Sequence, residues 1–260
     1  MKLQQQTVLI TGGSSGIGLE LAKQLIAKQN SVIICGRSAQ RLAEAKVIIP
    51  QVHTFPCDIS NEDDRVKLFE WVVTHHPACN VLINNAAIVH KTNFHADPEI
   101  MQKAVREIET NLIAPIALTK AFLKHFEPQK GSAVINITTG LIYAPRAVYP
   151  IYNATKAALH SFTQVLRHQI RALPLDVIEV MMPVVATPWH QGNVPKIAIP
   201  PAKAVHEMIE KLENGAKEIR IGKVKLLYTL SRIAPAVAFR KINQLDEKAF
   251  VSTAFFSFEV

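Results

Sequence analysis

The chain has 260 residues, 48% of them apolar and 19% charged, which is enough for one sizeable α/β core and excludes a disordered polypeptide. Its formal charge is +8, but Lys and Arg are scattered, with neither a basic run nor interleaved aromatics; a small anionic ligand is expected, not a nucleic acid. No apolar stretch is long enough to span a bilayer and MKLQQQTVLITGG lacks a small-residue cleavage site, so no signal peptide and a cytoplasmic address are expected.

Strand-length apolar runs recur along the chain: TVLIT (7–11), SVIIC (31–35), VHTF (52–55), NVLIN (80–84), SAVINIT (132–138), DVIEVMM (176–182) and EIRIG (218–222). Helical spacing fills most of the gaps. After the first run, Ile17, Leu21, Ala22, Leu25 and Ile26 repeat at three- and four-residue intervals. After the third, Ser60 and Asp63 resemble a capping box that opens a helix carrying Val66, Leu68 and Phe69. Strands that are apolar on both faces, alternating with helices, predict a single-domain, doubly wound parallel sheet of seven strands, a Rossmann-type α/β fold.

Cys35, Cys57 and Cys79 fit no zinc spacing; they read as buried, reduced thiols, and no metal is expected.

The first strand-to-helix turn is TGGSSGIG (11–18). Gly12 permits a tight turn, Gly16 lets a pyrophosphate approach the backbone, and Gly18 lets the helix pack on the sheet, while the helix N-terminus offers free N–H groups. The spacing is G-x-x-x-G-x-G rather than the commoner G-x-G-x-x-G.

With T-G-x-x-x-G-x-G near the N-terminus, Asn84-Asn85-Ala86-Ala87, Asp58, Asn111 and Tyr152-Asn153-Ala154-Thr155-Lys156 in order, the chain resembles the short-chain dehydrogenase/reductase family over residues 5–225. ITTGLIYAPRAVYPIYNATKAALHSF and IRIGKVKLLY are similar to a narrower group within it, the oxidoreductases associated with the D-alanylation genes of lipoteichoic acid. The resemblance implies hydride transfer between a nicotinamide cofactor and a small carbonyl or secondary alcohol. It implies Tyr152 as general acid/base, Lys156 on the nicotinamide ribose, Thr139 on the reacting oxygen, and Asn111 positioning a water that links Lys156 to solvent. Cofactor contacts are further implied for Gly12, Ser14, Ser15, Gly16, Ile17, Gly18, Asp58, Ile59, Asn85, Ala86, Pro183, Val185 and Thr187. A homodimer or homotetramer is expected.

Tyr152 and Lys156 stand four apart on one helix face, so the ammonium is expected to pull the phenol pKa down from its usual ~10 toward neutrality. At the other end of the cofactor, Gly36 replaces the acid that accepts a ribose 2′-hydroxyl, and Arg37 follows; a guanidinium there suits a 2′-phosphate and favours NADP(H) over NAD(H). Thr139 for serine, Ala87 for glycine and Val184 for glycine depart from the family pattern and leave open a nucleotide-binding regulatory protein without turnover. A loop at 188–200 is expected to cover the site, with His90, Tyr143 and Trp189 as substrate-facing options. Domain organisation is read as a Rossmann domain (1–225) followed by a C-terminal extension (226–260). Across that boundary, KVKLLYTLSRIAPAVAFRKINQL (223–245) reads as helical, broken at Pro235, packing on the core or a partner subunit or resting on an anionic membrane.

Overall fold

A computed structural model describes residues 2–244. Seven strands, β1 (Thr7–Thr11), β2 (Ser31–Gly36), β3 (His53–Pro56), β4 (Cys79–Asn84), β5 (Ser132–Thr139), β6 (Leu175–Met182) and β7 (Glu218–Arg220), form one parallel sheet in the order β3-β2-β1-β4-β5-β6-β7. The order reverses between β1 and β4, and a crevice opens beyond the carboxyl ends of strands at such a switch point.

Strand alternation divides the interior into two cores. Val8, Ile10, Val32, Ile34, Val81 and Ile83 face one side and meet α1 (Gly16–Ala27), α2 (Ala39–Ile48) and α7 (Pro201–Glu213) through Leu21, Leu25, Leu42, Val205 and Met208. Leu9, Ile33, Cys35 and Leu82 face the other and meet α3 (Glu62–His75), α5 (Ala114–Phe126) and α6 (Pro150–Gln169) through Leu68, Val72, Phe122, Phe126 and Leu166. Two-sided burial is why these strands read as continuous apolar runs. All three cysteines are buried and free.

Helix α3 starts one residue later than the capping box suggested. Asn61 is its cap, accepting from Asp64 N at 3.0 Å, whereas Ser60 donates its N–H and hydroxyl to Asp58 Oδ1. Ser60 is held by an Asx turn and is unavailable to the helix. The final strand ends at Arg220, short of the predicted Gly222, whose φ of +54° leaves extended geometry.

Helix α4 (Ile100–Ile108) runs through a π-turn, Glu109–Ile113, into α5. At the C-terminal end, Pro235 divides the predicted helical stretch into α8 (Val224–Ile233) and α9 (Pro235–Asn243), standing at the first position of α9 where its missing N–H costs nothing. The final stretch AFVSTAFFSFEV lies outside the described residues. Among the described residues, no helix is long and apolar enough to cross a membrane.

Candidate active site

The β1–α1 turn is held from two sides. Thr11 Oγ1 accepts from the backbone N–H groups of Asn85 and Ala86, both at 3.0 Å, and Asn85 Nδ2 donates to Thr11 O and Gly12 O at 2.9 and 3.3 Å. Gly12 has φ +66°, and a Cβ there would lie 2.9 Å from Ala86 Cα; a Cβ on Gly18 would lie 2.3 Å from Gly12 O. Only glycine fits either position. Gly16, with φ +54°, brings the first helical turn beside Thr187. Ser15 caps α1 without a side-chain hydrogen bond, and the first turn carries no acid. Its N–H groups therefore point, uncapped, at the end of the sheet, a setting that attracts an anion.

A cleft of about 500 Å³ opens above this turn. Of the sequence-predicted residues, Gly12, Ser14, Ser15, Gly16, Ile17, Arg37, Asp58, Ile59, Asn85, Ala86 and Thr187 line it. Gly18, Pro183 and Val185 do not: Gly18 lies under the turn, and Pro183 and Val185 carry the chain away from β6, with Val185 bridged to Ile199. The 188–200 segment contributes Pro188 and Trp189, the start of a short 3-10 turn, Pro188–His190. Sequence reasoning missed Ser38 and Arg41. Arg41 stands four residues after Arg37 and brings a second exposed guanidinium to the same rim. The signal was available, since Ser38 caps α2 by accepting from Arg41 N.

Asn111, Thr139, Tyr152 and Lys156 form a separate group at the start of α6. Helix α6 is fixed on the sheet by buried amides: Asn84 Nδ2 donates to Asn136 Oδ1 at 2.8 Å, and Asn136 Nδ2 to Thr163 Oγ1 at 2.9 Å. That registry brings the Tyr152 hydroxyl to the end of β5 beside Thr139, near enough for the threonine hydroxyl to lower its pKa; Thr139 Oγ1 accepts from Leu141 N. Asn111, in the π-turn, is fully buried and spends its amide on Ile88, accepting from Ile88 N at 2.9 Å and donating to Ile88 O at 2.8 Å. Its side chain fastens the segment after β4 to the helix.

Burial works against the expected lowering of the Tyr152 pKa. Desolvation raises it, the neighbouring Thr139 hydroxyl only partly offsets this, and the charge of Glu107 raises it further. Lys156 Nζ lies 6.0 Å from the Tyr152 ring centre and donates to Ile137 O at 2.8 Å. Its own pKa is lowered by burial to about 8, against the partial support of Glu179. Helical spacing made them neighbours, but desolvation acts on both groups and favours the neutral form of each.

Two buried carboxylates were also missed. Glu179, in the middle of β6 and fully buried, accepts from Thr138 Oγ1 and lies 2.7 Å from His160 Nδ1. Glu107 takes His90 N and lies 2.8 Å from His90 Nδ1, so His90 is fixed toward α4. An acid flanked by apolar residues on both sides, Glu179 within VIEVMM, was a readable signal, because a buried charge requires a partner. Tyr143 turns from the cleft: its hydroxyl donates to Met181 Sδ and accepts from Arg220 Nε.

The family described as short chain dehydrogenase matches residues 6–197. A Bacillus subtilis protein named "Uncharacterized oxidoreductase DltE" is 42% identical over 248 residues, 94% of this chain and 98% of its own. A short chain dehydrogenase from Burkholderia cenocepacia, solved in complex with NADP, superimposes with a TM-score of 0.82 at 22% identity, covering 93% of this chain and 99% of its own. The 3-ketoacyl-(acyl-carrier-protein) reductase of Brucella melitensis, complexed with NADH, gives 0.76 at 21% identity over 84% of this chain and 97% of its own.

Proposed function

Since the chain belongs to the short chain dehydrogenase family of oxidoreductases, we propose that it interconverts a carbonyl and a secondary alcohol with NADP(H), with Tyr152 as the catalytic acid/base. The cofactor class fits the residues present: uncapped N–H groups at the start of α1 for the pyrophosphate, glycines at 12 and 18 where a Cβ would collide, and two guanidiniums on the adenine-side rim. When bound, the cofactor supplies or accepts a hydride.

The remaining chemistry belongs to the chain. Tyr152, held protonated by burial, donates its phenolic proton to the carbonyl oxygen in reduction, and Thr139 hydrogen-bonds the same oxygen. Lys156, its pKa lowered by burial to about 8, is still mostly protonated at neutral pH, and its charge favours the phenolate that Tyr152 becomes on giving up its proton. The observation that carries this reading is the placement of Tyr152 beside Thr139 at the end of β5, with the buried Lys156 one helical turn beyond it.

Titration of NADPH and NADH, followed by a carbonyl panel with the preferred cofactor, tests it. Turnover in the wild type and its loss in Tyr152→Phe, with cofactor affinity kept, is the expected result. Cofactor binding with no turnover on any carbonyl would favour the regulatory alternative raised by Thr139, Ala87 and Val184, and wild-type turnover in Tyr152→Phe would overturn the acid/base assignment.

A further inference from the structure

The C-terminal helix pair presents a face that the catalytic reading does not use. Its inner side is anchored beside the site, for a Cβ on Gly140, next to Thr139, would lie 3.0 Å from Val224 at the start of α8. On the outer side Leu226 is 67% and Ile233 79% exposed, seven residues apart and therefore on one stripe, with half-buried Leu230 between them. Lys225 and Arg232 run beside that stripe at the same spacing. Helix α9 adds Phe239, 51% exposed, followed by Arg240 and Lys241.

The charge distribution selects the partner. Residues 223–244 contain five cations, Lys223, Lys225, Arg232, Arg240 and Lys241, and no acid. All five are exposed, and among the described residues none has a carboxylate partner. Some surface cations elsewhere are paired, as Lys28 is with Glu213 at 2.9 Å and Lys211 with Glu207 at 2.6 Å. A second copy meeting this face about a two-fold axis would set cations against cations. Apolar and basic side chains interleaved along a helix surface instead suit an interface in which rings and aliphatic chains enter the acyl boundary while ammonium and guanidinium groups meet phosphates. We propose that the outer face of α8 and α9 docks on an anionic lipid surface, holding the Thr139 end of the protein at the membrane.

Co-sedimentation of the full chain with vesicles of equal parts phosphatidylcholine and phosphatidylglycerol tests this, with pure phosphatidylcholine as the control. Binding to the mixed vesicles that weakens with salt is expected, with about a fivefold loss of partitioning for each cation removed, hence ~25-fold for Arg232→Gln combined with Arg240→Gln. Leu226→Ser and Phe239→Ser should each weaken binding at fixed salt, and unchanged melting curves would show that these variants remain folded. The proposal is overturned if the full chain stays in the supernatant at low salt, whether its own 245–260 segment or a second copy covers the face. It is equally overturned if binding to neutral vesicles matches binding to anionic ones. A dimer that dissociates on Phe239→Ser without any vesicle binding would assign the face to self-association.

Discussion

The two ends of the candidate active site use charge in opposite ways. At the rim, Arg37 and Arg41 are exposed cations without burial costs, available to a ligand but screened by water and salt. At the start of α6, Lys156 is taken out of water and Tyr152 is half-buried, so the proton affinity of each is set largely by desolvation. Recognition at the first end is modular and local. Chemistry at the second depends on the packing of β5, β6, α4 and α6 together.

The largest effect should come from breaking the buried end. Thr139→Val keeps the shape but removes the hydroxyl, and kcat/KM should fall 10- to 1,000-fold, on the scale of ~1.5–4 kcal/mol for one donor lost to developing charge. Thr139→Ser should stay within about tenfold of wild type. Both must be compared at matched thermal stability, since valine also removes the acceptor for Leu141 N. Full activity in the valine variant would make Thr139 structural.

A second test reads burial directly. The Lys156 pKa of about 8 lies below its ordinary 10.5, so between those values the unfolded chain binds more protons than the folded one, and this contribution to stability rises with pH. Below pH 8 both states are protonated and the full burial cost is present. Lys156→Met removes the cost at every pH. Denaturation at pH 7 and 10.5 should therefore show the stability difference, variant minus wild type, shrinking by about 3 kcal/mol as pH rises. Comparing the two chains cancels the opposing titration of Tyr152 and the buried cysteines. A pH-independent difference would mean that Lys156 is solvated.

The smallest effect is expected at the exposed rim. Arg37→Glu should weaken NADPH binding about tenfold relative to NADH, because Arg41 remains and solvent screens the reversed charge. The loss should shrink in high salt. Equal losses for both cofactors would remove Arg37 from recognition of a 2′-phosphate.

Much of this was readable because it depends on short segments. Runs such as TVLIT, which is β1 residue for residue, follow from side chains buried on both sheet faces. Gly12 and Gly18 were readable because a turn that closes on itself excludes a Cβ whatever lies elsewhere. The Ser60 capping box failed for an equally local reason, as Asp58 competes for the same hydroxyl.

What the sequence by itself determined was therefore the order of strands and helices, the cradle between β1 and α1, and the neighbour relation of Tyr152 and Lys156 on one helix. Tertiary structure alone decided where Lys156 spends its ammonium, on the carbonyl of Ile137, and which way the Tyr152 pKa moves. It also paired Glu179 with His160, 19 residues away, and Glu107 with His90, 17 residues away. Spacing along a helix fixes direction and proximity, whereas a pKa depends on how much water is removed from a group, and that is set by elements distant in the chain that close around it.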